Sequence, residues 1–293
     1  MTHVEARPNA SQRRLAIIGC GSSGLICLKT ALQNLAGWDV VCFEKTGQIT
    51  GCWGNPYPGF VSTSTKYTTQ FACLPDRDAA VEQDAGQSRA EFFRGAEYGE
   101  YLSRFADAFK LHAHIKLRHQ VDRLVRSEEG TGWLVTYRAT AEPNLSAAVS
   151  ERFDAVVICT GLAAQIKEIE SAIPTLPLAE LNSPQGIANI RQERIVVFGG
   201  GESAVDLATR LAQPELGNEV YLSLRTGVRV SPRYHPIRGV PSDFLRNRLM
   251  LSIHPSLRNW IGQRFVEARI LHQERFEKWF PARRSSSKAV GRN

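Results

Sequence analysis

A short apolar run that ends in glycines and turns directly into a helix occurs twice in this chain, as LAIIGCGSSGLICLK over residues 15–29 and as VVFGGGESAVDLATRLA over residues 196–212. The first copy sets Gly19, Gly21 and Gly24 at the spacing G-x-G-x-x-G, and the second sets Gly199, Gly201 and Ala204 at G-x-G-x-x-A. In such a strand-turn-helix the first glycine makes the tight turn, the second lets a pyrophosphate approach the backbone, and the third packs helix closely on strand. The unpaired N–H groups and partial positive charge of the helix start then face the phosphates, a task that in the second copy includes Ser203. A second strand comes after each copy, DVVCFE over 39–44 and EVYLSLR over 219–225. The expected fold class is α/β, with two Rossmann-like dinucleotide-binding domains.

The residue at the end of that second strand separates the two copies. Glu44 stands twenty residues after Gly24, where a carboxylate accepts hydrogen bonds from both hydroxyls of an adenosine ribose and repels a 2′-phosphate. The corresponding stretch after Ala204, YLSLRTG, has no acid but contains Arg225, whose guanidinium can pair with the 2′-phosphate of NADPH. The first site is thus expected to take a dinucleotide with a free ribose and the second NADPH. The alternatives are a glycine turn without a ligand and an ordinary surface arginine.

The net charge of +7 is spread along the chain apart from clusters near Arg13 and at the C-terminus, and no nucleic-acid motif accompanies it, so no nucleic-acid partner is expected. The six cysteines form no C-x-x-C pair, which favours a reducing compartment, and the polar start MTHVEARPNASQRR carries no apolar leader. No apolar run approaches a membrane span. The expected address is the cytoplasm. HAH at His112–His114 could place two imidazoles on one face of a strand, but no third ligand is near, and no metal is expected.

Between the loops the pattern is irregular from about Thr50 to Arg94, a length of loop that is usually functional. EYGEYLSRFADAFKL from Glu97 reads as an amphipathic helix, and IKLRHQVDRLVRS, GWLVTYRAT and RFDAVVICTGL read as strands. HPSLRNWIGQRFVEARILHQERFEKWF reads as a long basic helix with Leu257, Trp260, Ile261, Phe265, Phe276, Trp279 and Phe280 as its apolar positions, expected to pack on its own domain rather than lie on a membrane surface. These segments predict a first dinucleotide domain over 1–161, a second over 162–281 and a disordered polar tail over 282–293.

Two nucleotide units, an acid after the first, an arginine after the second and DAVVICTG between them resemble the flavin-containing monooxygenases and their Baeyer–Villiger relatives. In that family a strand ending in a Thr-Gly step links flavin and nicotinamide domains, and Thr160-Gly161 stands in its place. EKTGQITGCW is similar to the family's stretch beside the flavin, with Gly51 and Trp53 as its Gly-x-Trp. STSTKYTTQFACLP matches a family segment in which Lys66 and Phe71 keep their spacing. The resemblance implies FAD at Gly19, Gly21, Gly24, Glu44, Gly51, Trp53, Thr160 and Gly161, and NADPH at Gly199, Gly201, Ser203, Ala204 and Arg225. NADPH then reduces FAD, the reduced flavin activates O2, and one oxygen passes to a small soft nucleophile. RYHPIRG, with Arg233, His235 and Arg238, falls near the expected nicotinamide site.

The sequence departs from the family at three points. The family's Asn, whose amide bonds the activated oxygen, falls on Thr63, a hydroxyl without the paired donor and acceptor. The motif F-x-G-x-x-x-H-x-x-x-F/Y is absent between the two loops. In the family C-terminal sequence completes the flavin domain, whereas this sequence stops after the nicotinamide part. A fragment, a shortened relative with a partly open flavin site and completion by another polypeptide all stay open, and a site missing a wall is expected to give uncoupled NADPH oxidation releasing peroxide. Two rivals remain open: a flavin reductase passing electrons to a partner, and a non-catalytic dinucleotide-binding module.

Overall fold

The computed structural model describes residues 3–4, 12–57, 59–75, 92–127, 130–140, 147–161, 171–181, 184–225, 234, 241–245 and 248–271. The strands are β1 (His3–Val4), β2 (Arg14–Ile18), β3 (Asp39–Phe43), β4 (Val61–Thr65), β5 (Phe92–Arg94), β6 (Ile115–Lys116), β7 (His119–Arg126), β8 (Trp133–Ala139), β9 (Val149–Phe153), β10 (Ala155–Ile158), β11 (Arg194–Phe198) and β12 (Glu219–Ser223). The helices are α1 (Ser22–Asn34), α2 (Lys66–Thr69), α3 (Glu97–Ala108), α4 (Leu178–Leu181), α5 (Pro184–Ala188), α6 (Glu202–Leu211), α7 (Arg248–Ser252) and α8 (Pro255–Leu271). The chain divides into two compact units, Met1–Ser62 with Gln70–Gly186, and Thr63–Thr69 with Ile187–Asn293.

In the first unit a parallel sheet runs in the order β10-β2-β3-β6. The strand order reverses at β2, with β3 and β6 laid to one side and β10 to the other, the arrangement of a doubly wound nucleotide-binding half, whose ligand crevice is at the carboxyl ends of the strands. All five residues of β2 are buried, as expected of a central parallel strand covered on both faces. One face packs Leu15, Ile17 and Val40 against Leu25 and Leu28 of α1 and Tyr101, Leu102 and Phe105 of α3. The other face sets Ala16 and Phe43 against Val135, Tyr137 and Phe153 of a second sheet, the antiparallel run β9-β8-β7 with β1 parallel to β9 at its edge.

In the second unit β11 and β12 pair in parallel through Arg194↔Glu219 to Phe198↔Ser223, and α6 covers them with Leu207 and Leu211. The long basic helix of the sequence is α8. Its Leu257 and Trp260, expected to pack, are 51% and 58% exposed; the Arg264 guanidinium instead lies over the Trp260 ring at 5.6 Å. Phe276, Trp279, Phe280 and the tail over 282–293 lie outside the described residues.

Two local readings change. The stretch from Thr50 to Arg94 includes β4, α2 and β5; Val61, Thr63 and Thr65 alternate with serines, a β-branched pattern that suits a short strand. His112 and His114 stand on a 3-10 turn, not on a strand. His112 Nε2 lies 2.7 Å from Asp107 Oδ1 and His114 Nδ1 3.3 Å from the Val40 carbonyl, because the short connection to β6 tightens the chain after α3. Among the described residues no group of three or more His, Cys, Asp or Glu could hold a metal ion.

Candidate functional site

The two glycine loops share one backbone plan. Gly19 N–H donates to the carbonyl of Phe43, the last residue of β3, at 2.8 Å, and Gly199 N–H donates to that of Ser223, the last residue of β12, at 3.1 Å. Each loop is thereby laced to the end of the neighbouring strand, where Glu44 comes next in one unit and Leu224-Arg225 in the other. Gly21 and Gly201 are the N-caps of α1 and α6, with no side-chain cap bond at either. The first N–H groups of both helices are left to other acceptors.

The glycines differ in why they must be glycine. Gly19 has φ +95°, and a Cβ there would lie 2.4 Å from the Cys159 carbonyl oxygen; one on Gly24 would lie 1.9 Å from the Gly19 carbonyl oxygen. Both are demanded by the protein's own packing. Gly21 has φ −77°, open to any residue, and a Cβ on it would meet nothing nearer than the Gly51 Cα at 3.6 Å. Gly201 likewise has φ −79°, with nothing within 4 Å of a Cβ. Neither conformation nor packing requires glycine at these two positions, and each leaves space at a helix N-terminus that a side chain would fill. That is the fit expected for a pyrophosphate.

Glu44 is buried at 6% exposure. Its Oε2 accepts the Cys20 N–H at 2.8 Å, and its Oε1 accepts the Thr46 N–H and hydroxyl, both at 2.9 Å. A carboxylate has about four acceptor positions, so three protein donors fix its orientation and leave capacity on Oε2 for a ribose hydroxyl. Thr46 went unnoticed in the sequence, although a threonine two residues after an acid is a readable partner. Gly51 has φ +55° and its backbone faces Gly21. Trp53 is held by edge-on contacts with Tyr98 at 4.9 Å and Phe60 at 5.8 Å. The Thr160 Cα lies 3.3 Å from where Gly19 would carry a Cβ, and Gly161 turns the chain at φ +82°. Gly19, Gly21, Gly24, Glu44, Gly51 and Thr160 thus come together around this loop, and Gly161 and Trp53 follow in the chain, one residue past Thr160 and two past Gly51.

Four cysteines pack around this loop: Cys20 and Cys42 within the core, Cys27 and Cys159 against it. Cys42 Sγ faces the Gly19 carbonyl at 3.7 Å. The bond with the Cys20 thiol, then burial, pushes the Cys42 thiol up; burial does the same for Cys27 and Cys159. With their thiols pushed up, Cys27, Cys42 and Cys159 behave as small hydrophobes rather than nucleophiles or electron relays.

In the second site Ala204 replaces the third glycine, and its N–H bonds the Gly201 carbonyl at 3.1 Å. Ser203 is exposed in the first turn of α6 and Arg225 is exposed just past β12. Sequence reasoning missed Glu202, an acid at the start of α6. Its carboxylate accepts the Thr63 hydroxyl at 3.5 Å. Thr63 is exposed and belongs to the same unit, in a segment anchored by Asp243: Asp243 Oδ2 accepts the Thr65 N–H at 2.7 Å, the Thr65 hydroxyl at 2.8 Å and the Thr68 hydroxyl. Nothing local in the sequence pairs residues 178 apart. Burial raises the Asp243 carboxyl, but the bonds from Thr68 and Thr65 outweigh it and hold the group below its ordinary value. Arg233, His235 and Arg238 lie outside the described residues.

The sequence has relatives among known proteins. The chain is 24% identical over 286 residues to a 4-hydroxybenzoate brominase (decarboxylating) of Pseudoalteromonas luteoviolacea, covering 91% of this chain and 51% of that protein. It is 25% identical to flavin-containing monooxygenase 5 of Rattus norvegicus, over 90% of this chain and 50% of that one. Among solved structures, S-allyl-L-cysteine S-oxygenase from Allium sativum shares the fold with a TM-score of 0.57 at 22% identity, over 75% of this chain and 53% of that one. The chain therefore spans about half the length of the curated relatives it matches. The family profile described as Flavin-binding monooxygenase-like matches residues 12–289, almost the whole chain, and with two dinucleotide loops of this geometry the chain belongs to that family.

Proposed function

We propose that the chain binds FAD at the first loop and NADPH at the second, and serves a monooxygenase reaction. In it NADPH and O2 are consumed and one oxygen atom is transferred to a small soft nucleophile such as an amine or sulfide, the other leaving as water. The observation that carries this reading is the pair of middle glycines, Gly21 and Gly201, which packing does not require and a pyrophosphate would. When bound, FAD supplies hydride acceptance and two-electron activation of O2, chemistry that amino-acid side chains do not provide.

The residues divide the work. Gly19, Gly21 and Gly24 shape the flavin loop; Glu44 accepts from the ribose; Gly51, Trp53, Thr160 and Gly161 border the same site. Gly199, Gly201, Ser203 and Ala204 receive the NADPH pyrophosphate at α6, and Arg225 pairs with its 2′-phosphate. Thr63 takes the place of the family's amide as the candidate contact to the reacting oxygen, although its one hydroxyl proton is donated to Glu202 in the structure. The domain assignment that goes with these roles is a flavin domain over 1–161, a nicotinamide domain over 162–281 and a tail over 282–293. Six free thiols fit a reducing compartment, and we assign the protein to the cytoplasm. Among the described residues no helix is long and apolar enough to cross a membrane.

The test is optical. Purified protein should carry a yellow flavin spectrum that NADPH bleaches under nitrogen; readmitted O2 should restore it, with an oxygenated amine or sulfide in the products. A colourless protein that binds NADPH without oxidising it would overturn the reading in favour of a non-catalytic module.

A further inference from the structure

The segment Thr63–Thr69 leaves the first unit at Ser62 and rejoins it at Gln70, yet it belongs to the second. Seven residues are too few to fold by themselves, so something in the second unit must hold them. Three contacts do. The Asp243 carboxylate takes two donors from Thr65 and one from Thr68. The rings of Tyr67 and Phe244 meet edge-on at 6.0 Å. The Thr63 hydroxyl reaches Glu202, next to Gly201. Thr65 is fully buried, so without Asp243 its hydroxyl would lose a buried acceptor, a costly loss for a polar group.

We propose that Asp243 is a positioning residue for the second dinucleotide site: by gathering Thr65 and Thr68 onto one carboxylate oxygen it sets Thr63 against Glu202 at the start of α6. This rests on the reading that NADPH binds there. The bond matters because Glu202 is an acid in the first turn of a helix whose N-terminus is to receive a pyrophosphate, and an unrestrained carboxylate would compete for the same N–H groups. Thr63, held in place, keeps that carboxylate engaged. All three bonds end on Oδ2, while Oδ1 is buried with no partner among the described residues. An amide with its oxygen in the Oδ2 place therefore keeps every bond, and an alanine keeps none.

The experiment compares wild type with D243A and D243N on two readouts that need no turnover. The first is NADP+ binding to the flavin-loaded protein by calorimetry. D243A should weaken NADP+ about tenfold, the equivalent of one good interaction, with FAD affinity unchanged, and D243N should restore most of the loss. The second is limited trypsinolysis at Lys66, which should quicken in D243A and not in D243N. Equal NADP+ affinity and equal Lys66 cleavage in wild type and D243A would overturn the proposal. So would parallel losses of FAD and NADP+ affinity in D243A, the mark of a merely structural role. A wild-type chain that binds no NADP+ would overturn the nicotinamide reading and the positioning role with it, and cleavage at Lys66 would then show separately whether the anchor itself exists.

Discussion

The carbonyl oxygen of Gly19 lies 1.9 Å from the point where Gly24 would carry a Cβ, so helix α1 can leave the loop at this angle only if residue 24 has no side chain. Gly24→Ala should push the helix from the strand and cost about 2–3 kcal/mol by overpacking, lowering the thermal midpoint and releasing FAD. Gly21→Ala should do something different. Its methyl would sit 3.6 Å from the Gly51 Cα, an ordinary contact, so the thermal midpoint of the protein without FAD should stay near wild type while FAD binding is lost. Thermal melts paired with fluorescence titration of FAD separate the two. A Gly21→Ala protein that binds FAD normally would remove the main support for the site.

Arg225 lies just past the end of β12, as Glu44 does past the end of β3. Loss of its charge-assisted contact in Arg225→Ala should cost about 2 kcal/mol, roughly thirtyfold in the NADPH dissociation constant. The constant for NADH, which has no 2′-phosphate, should not move. Stopped-flow titration of flavin reduction with each nucleotide gives both constants, and an equal loss for both would mean that Arg225 does not read the phosphate.

Thr63 has one hydroxyl proton to give, and its hydroxyl faces Glu202 at 3.5 Å. Thr63→Asn supplies an amide donor as well as an acceptor. If Thr63 stands where oxygen is handed on, the peroxide released per NADPH consumed should fall about fivefold in this variant, the worth of one hydrogen bond of roughly 1 kcal/mol. Peroxide and NADPH monitored in the same cuvette decide it, and an unchanged ratio would place Thr63 outside the chemistry.

The first unit could be read from the sequence because its information is local. Gly19, Gly21, Gly24 and Glu44 lie within 26 residues, and the apolar run Leu15–Ile18 is long and pure enough to be a buried strand. The helix from Glu97 declares itself through Tyr101, Leu102 and Phe105, which are buried as the spacing requires. The segment after Ser62 could not be read in the same way. STSTKYTT gives a strand signal but no hint that it packs in the second unit, since that depends on Asp243, 178 residues from Thr65. Nor does alternation in Arg194–Phe198 reveal that Val196 and Phe198 are 57% and 73% exposed: period tells which residues share a face, not what covers it.

Arg14 and Glu151 pose a similar long-range question, and their chemistry gives it a pH dependence. Arg14, on the central strand β2, sends Nη2 to Glu151 Oε2 at 2.7 Å and Nε to Asp39 at 2.8 Å, and its guanidinium lies 4.3 Å from the Phe153 ring centroid. Glu151 Oε1 also accepts from the Tyr137 hydroxyl and faces Lys116 Nζ at 3.3 Å. Burial alone would push this carboxyl up. The bonds from Tyr137 and Arg14 and the charge of Lys116 outweigh burial and hold it below the ordinary value of 4.5. The unfolded chain therefore takes up a proton at Glu151 before the folded one does. This contribution to stability is present above pH 4.5 and is lost as the pH falls through the lower folded value. Glu151→Gln should cost about 3 kcal/mol near neutral pH by leaving Arg14 with an uncharged partner in a buried place. It should also flatten the acid limb of the stability curve, because the group that titrates there is gone. Urea unfolding of both proteins between pH 7 and pH 3 measures the two effects together. A variant that loses stability equally at every pH would show that Glu151 acts through packing rather than charge.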